Sequence, residues 1–138
     1  VACAFHTYFR VADIGRTAVE GLQGVTLIDS LREDRREVES RRQIRIDEEV
    51  DRVYVAAPDH LAVSDEAEGR RVEIEKLGMT DAVVWNPWIA KSKRLEDFGD
   101  EDYRRMVCVE TGNIEAGVTL APGVIWRGTT RYRVHRTG

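Results

Sequence analysis

The sequence predicts an all-β chain folded as an antiparallel β-sandwich. Three observations carry that prediction. Apolar and polar residues alternate with a period of two through most segments. Turn signals such as Ala57-Pro58-Asp59 and Ala121-Pro122-Gly123 break the chain at short intervals. Helical character is confined to one short polar stretch, residues 95–105. No internal repeat and no linker divides the chain, so it reads as one domain or part of one.

Taken in order, residues 3–11 form a first strand, with Cys3, Phe5, Phe9 and Val11 on one face and His6, Tyr8 and Arg10 on the other. A short strand follows Gly24, over residues 25–29. Residues 31–42 are nearly all charged with mixed signs, which predicts a solvated hairpin loop or a short exposed helix. Alternation returns at 42–46 and again at 51–56, the latter closed by Pro58-Asp59. Residues 61–65 and 71–77 flank the acidic turn Glu66 to Gly69 and read as a hairpin. Residues 82–86 make a strand that Pro87 ends. Residues 106–110 make another. Residues 117–120 and 124–134, on either side of Ala121-Pro122-Gly123, predict a closing hairpin.

Composition excludes several classes. A chain of 138 residues with 42% hydrophobic and 33% charged residues can bury a core and is not a disordered one. A net charge of −4, with no basic stripe, argues against a nucleic-acid partner. No apolar run reaches the roughly 18–20 residues a membrane-spanning helix needs, and no leader pattern is visible. The expectation is a cytoplasmic monomer, with a plastid as the alternative compartment. Cys3 and Cys108 are too few for a disulfide framework, and no Cys/His spacing suits zinc, so no metal is expected. They read as two small thiols in a reducing compartment.

The chemistry-bearing candidates are few. His6 lies among Phe5, Tyr8 and Phe9, and Glu110 ends the apolar run Met106-Val107-Cys108-Val109. A titratable group in such surroundings is costly unless it is paired or used. Val107 and Val109 point to one face of their strand, and Cys108 and Glu110 to the other. A half-buried carboxylate there has a raised pKa and is a better base. A histidine and a carboxylate joined across a sheet make an acid/base pair. Asp51, at a strand start, reads on its own as a turn or cap residue. Trp85 and Trp88 flank Asn86-Pro87, a position as suited to core packing as to stacking on a sugar ring. No stretch has the spacing of a phosphate-binding loop.

As ordered strings these segments carry more. His6-Thr7-Tyr8-Phe9, Asp51-Arg52-Val53-Tyr54, Asp81-Ala82-Val83-Val84-Trp85-Asn86-Pro87-Trp88 and Asp97-Phe98-Gly99-Asp100 running into Met106-Val107-Cys108-Val109-Glu110 resemble, in this order, blocks of the hexose-6-phosphate mutarotases. Thr119-Leu120-Ala121-Pro122-Gly123 with Trp126 resembles that family's terminal turn. The resemblance covers nearly the whole chain and reads from mid-domain to the domain's end. It therefore implies that residues 1–138 are the C-terminal portion of a single galactose-mutarotase-like β-sandwich, incomplete at its N-terminal side. It implies an isomerase that interconverts the α and β anomers of a hexose 6-phosphate, with no cofactor. His6 would be the general acid and Glu110 the general base. Asp51 would bind sugar in the same cleft, with Trp85 and Asn86 beside it. The residues that hold the phosphate would lie in the family's earlier half. A sugar-binding sandwich without catalysis is the alternative reading.

Overall fold

Two antiparallel sheets account for the strands of the computed structural model, which describes residues 1–137. In chain order the strands are β1 (Cys3–Phe5), β2 (Tyr8–Arg10), β3 (Thr17–Glu20), β4 (Thr26–Asp29), β5 (Arg35–Val38) and β6 (Gln43–Arg45). They continue with β7 (Val50–Val55), β8 (His60–Asp65), β9 (Arg70–Leu77), β10 (Asp81–Asn86), β11 (Met106–Asn113) and β12 (Thr129–Arg136). One helix, α1 (Trp88–Arg94), follows β10. The first sheet runs β1-β11-β10-β7-β4-β5, with β2 pairing beside β1 on the same edge of β11. The second runs β12-β9-β8-β3-β6.

The period of two decides what each sheet turns inward. Leu27 of β4, Tyr54 of β7, Ala82 and Val84 of β10, and Val107 and Val109 of β11 face the core. The second sheet answers with Val19, Ile44, Leu61, Val63, Val72 and Ile74. These side chains form one buried cluster between the sheets. Each fully buried aliphatic chain contributes about 1.5–3 kcal/mol, so this interface is what holds the sandwich together.

Two polar side chains sit inside that frame and are paired there. Lys76 continues the inward row Val72-Ile74-Lys76 and is only 1% exposed. Its Nζ donates to the carbonyls of Ala57 (2.6 Å) and Met79 (2.9 Å) and lies 3.4 Å from that of Thr80. The lysine thus ties two turns to the end of β9. Glu39 is buried just after β5, where Tyr54 Oη donates to it at 2.8 Å and Arg41 Nε at 3.1 Å. Burial pushes the Glu39 carboxyl up, but the hydrogen bonds from Arg41 and Tyr54 outweigh this and hold it below its ordinary value.

The structure corrects several expectations drawn from the sequence. Residues 3–11 are two strands, because a tight turn in which Thr7 N–H donates to Phe5 C=O (3.0 Å) interrupts the ladder at His6-Thr7. The charged run 31–42 contains an edge strand, β5, paired with β4. Its alternation is hidden because an edge strand can carry charge on both faces. The helix lies at Trp88–Arg94, earlier than residues 95–105, of which only Asp102–Arg105 form a short 3-10 turn. No closing hairpin forms: residues 117–128 contain no strand, and β12 instead pairs with β9 along its whole length.

Candidate active site

The outer face of the first sheet carries the candidate site. Antiparallel partners share a face, so one row can be read across strands from the register. Phe5 opposes Thr111 and Tyr8 opposes Cys108, which brackets His6 opposite Glu110. Glu110 opposes Val83 of β10, and Val83 opposes Val53 of β7. The next row on the same face runs Tyr8, Cys108, Trp85, Asp51. Alternation that buries Val107 and Val109 inward therefore delivers Glu110, Trp85 and Asp51 outward, onto one surface.

His6 and Glu110 are in contact. His6 Nδ1 lies 3.2 Å from Glu110 Oε1, with the imidazole side chain 56% exposed and the carboxylate side chain 10% exposed. Burial raises the Glu110 pKa; His6 opposes the shift, and the Asp51 charge adds to it. The carboxyl is thus moved towards the range useful to a general base at neutral pH. The His6 ring stacks on Tyr8 at 4.9 Å between centroids and meets the edge of Trp85 at 6.0 Å. Tyr8 and Trp85 also meet edge to face at 6.1 Å. Three aromatic rings therefore fix one another on the rim of the pair. Beneath them Cys108 is fully buried, and burial, with Glu110 nearby, pushes its thiol up, so it is an inert part of the floor.

A cleft of about 680 Å³ opens over this floor. Asp51, Trp85, Glu110 and His6 line it from the sheet, and Lys91 and Arg94 of α1 and Phe98 line the facing wall. Lys91 Nζ lies 5.8 Å from the Trp85 ring centroid. Burial raises the Asp51 pKa; Lys91 counters this, and Glu49, Asp29 and Asp34 add to it. A second concavity, of about 590 Å³, lies on the outer face of the other sheet. Its carboxylates Glu20 and Glu75 are matched by Arg71 and Arg131, Glu73 lies 3.2 Å from the exposed His135 imidazole, and among the described residues this concavity holds no comparable buried acid–base contact.

Of the residues singled out from sequence, the fold brings His6, Glu110, Asp51 and Trp85 together. Asn86 is not with them. It is fully buried, and its Nδ2 donates to the carbonyls of Tyr103 (3.0 Å) and Met106 (2.9 Å). Its Oδ1 accepts from the backbone N–H of Trp88 at 2.8 Å. Trp88 has a φ of 55°, in the left-handed region that a bulky residue enters only when it is held there. Asn86 holds it, and so sets the start of α1. The reason is parity: Asn86 is one step from Trp85 and falls on the opposite face. The sequence reading did not place Lys91, Arg94 or Phe98 in the site. In the sequence Lys91 stands out only as a local cation without an assigned role, and Phe98 only as part of the Asp97-Phe98-Gly99-Asp100 string; placing them required the helix after Pro87 to be recognised.

Comparison with known proteins agrees with this fold. The aldose 1-epimerase family model matches residues 1–133, so the chain belongs to that family. A protein of Cenchrus ciliaris carrying the name "Putative glucose-6-phosphate 1-epimerase" is 45% identical over 125 residues, covering 91% of this chain and 38% of its own length. A Haemophilus influenzae protein with the same name is 32% identical over 129 residues, covering 91% of this chain and 45% of its own. Among solved structures, a "putative mutarotase (YeaD)" from Salmonella typhimurium superposes with a TM-score of 0.92 at 27% identity, over 99% of this chain and 46% of that one. A galactose mutarotase-like protein from Clostridium acetobutylicum, at 12% identity and a TM-score of 0.58, shares the fold. The chain thus spans less than half the length of these relatives.

Proposed function

We propose that this cleft interconverts the α and β anomers of a hexose 6-phosphate. The observation that carries the reading is the His6–Glu110 contact, a solvent-facing imidazole against a largely buried carboxylate. Anomer exchange needs a base at the C1 hydroxyl and an acid at the ring oxygen at the same time. Glu110 takes the proton from the C1 hydroxyl. As the C1–O5 bond breaks, its electron pair stays on O5, which takes a proton from the His6 imidazolium, and C1 becomes an aldehyde carbonyl. Rotation about C1–C2 presents the other carbonyl face. The steps then run backwards, with His6 accepting the O5 proton and Glu110 returning its own to the new C1 hydroxyl.

The other side chains on this face bind and orient. Asp51 accepts hydrogen bonds from ring hydroxyls, and the Trp85 ring offers an apolar wall to the carbon face of the sugar. His6 Nδ1 is directed at Glu110, which leaves Nε2, with no partner among the described residues, to reach the ring oxygen. Support for the phosphorylated substrate comes from the relatives' shared name and from the ordered motifs; the cleft itself supplies Lys91 and Arg94 as cations.

Magnetisation-transfer NMR of glucose 6-phosphate tests the reading, with the chain and its Glu110→Gln variant, and near-UV circular dichroism to establish folding. Exchange above the spontaneous rate, reduced about 10²-fold or more in the variant, is expected. A folded chain that binds the sugar without accelerating exchange would make the cleft a binding site and sink the catalytic reading.

A further inference from the structure

Lys91 stands in the cleft wall yet takes no part in the proton transfers. Three observations define its place. It projects from α1 so that its Nζ lies 5.8 Å from the Trp85 ring centroid. Trp85 is the register partner of Asp51. Lys91 and Asp51 line the same cleft. Among the described residues no donor reaches the Asp51 carboxylate within hydrogen-bonding or ion-pairing distance; its backbone carbonyl alone is engaged, by Ser30 N–H at 3.0 Å. A half-buried carboxylate without a local donor needs a counter-charge to stay ionised.

We propose that Lys91 is a positioning residue, the counter-charge that keeps the Asp51 carboxylate ionised and turned into the cleft towards the hydroxyls of the bound sugar. The surrounding charges make the assignment specific. From β7 and the residue before it come Asp51 and Glu49; from β4 and the turn after it, Asp29 and Asp34. From β11 comes Glu110, from the neighbouring edge His6 and Tyr8, and from the segment after α1, Glu96 and Asp97. Against these carboxylates the cleft offers Lys91 and Arg94, and Lys91 is the cation whose charge acts on Asp51 against its burial. The aromatic face of Trp85, the register partner of Asp51, attracts the ammonium to this side of the cleft. An ionised carboxylate offers both oxygens as acceptors to adjacent ring hydroxyls; a protonated one gives up part of that capacity.

The proposal takes its meaning from the epimerase reading, but its first measurement involves no turnover. Carbon-13 NMR follows the Asp51 carboxyl through a pH titration in the full chain and in Lys91→Met and Lys91→Arg variants, with Asp51→Asn identifying the resonance by its absence. The Asp51 midpoint is expected to rise by about one unit in Lys91→Met and to return in Lys91→Arg, which restores the charge. In parallel, the acid limb of glucose 6-phosphate binding is expected to move up with the Asp51 midpoint in Lys91→Met, and this shift disappears in the Asp51→Asn background. An Asp51 midpoint that does not move in a folded Lys91→Met variant overturns the proposal, and so does an acid-limb shift that persists in full without Asp51. A shifted midpoint in a chain that binds no glucose 6-phosphate supports the Lys91–Asp51 coupling while overturning the epimerase reading, so the two fail separately.

Discussion

Glu110 and His6 face each other across adjacent strands at 3.2 Å, one largely dry and the other largely wet. This inequality is what the proposed division of roles rests on. The buried partner is destabilised in its charged form, which gives it the appetite of a base. The exposed partner is open to solvent and to a ligand above the sheet.

One consequence is a stability profile that Glu110 should shape. Its carboxyl is raised from its ordinary value of 4.5, chiefly by burial. A raised acid favours the folded state when protonated, so its contribution is complete below the unfolded value and is lost as pH rises through the folded one. Urea titrations from pH 4 to 8 should therefore show Glu110→Gln gaining stability relative to the wild type as pH rises. A difference that is flat with pH would contradict the raised carboxyl.

The Asn86 side chain is expected to matter for folding first, and for the cleft only through the start of α1. Asn86→Ala strands two buried carbonyls and the Trp88 N–H, at a cost of about 2–4 kcal/mol. Asn86→Asp should be at least as harmful, because it turns a carboxylate towards the Tyr103 and Met106 carbonyls. Chemical denaturation reads both. Any change in glucose 6-phosphate affinity per folded molecule should come only through α1, whose start Asn86 sets and which carries Lys91.

Lys76 makes a similar case on the second sheet. Lys76→Met keeps the volume but removes the donor shared by Ala57, Met79 and Thr80. About 2–4 kcal/mol of stability should go with it. Hydrogen exchange is expected to show the damage in the turns at 57–59 and 78–80 rather than in the cleft, and uniform loss of protection would argue against this assignment.

Tyr54→Phe isolates the buried hydrogen bond to Glu39. A loss of about 1–2 kcal/mol is expected at neutral pH. Because the Glu39 carboxyl is held low, its contribution is present above its ordinary value of 4.5 and is lost as pH falls through the depressed one. The gap between wild type and Tyr54→Phe should accordingly narrow in acid. A gap of constant size would mean that the phenol does not hold the carboxylate ionised.

Period-two patterning made much of this architecture legible before any coordinates. It separated Val107 and Val109 from Cys108 and Glu110, and it joined 61–65 to 71–77 as neighbouring strands, as β8 and β9 are. The same rule misled where a residue's class disagreed with its face. Lys76 lies on an inward row that the alternation marks, but a lysine is not read as core until three carbonyls are found waiting for it. Asn86 belongs to the string that carried the resemblance, yet strand parity turns it away from the cleft. Lys91 could be read from the sequence only as a nearby local candidate for phosphate, because the turn that aims it depends on a left-handed Trp88, a conformation no pattern in the residues announces.

Core and chemistry share the same strands here, on opposite faces and one residue out of step. Sliding β11 by a single position would bring Val109 into water and press Glu110 into the core between the sheets. The misfolded chain would thus forfeit its hydrophobic interior at the moment it lost the His6–Glu110 contact. Folding therefore proofreads the site: the arrangement that survives thermodynamic selection for a dry interior is the one that displays His6 and Glu110 in reach of each other.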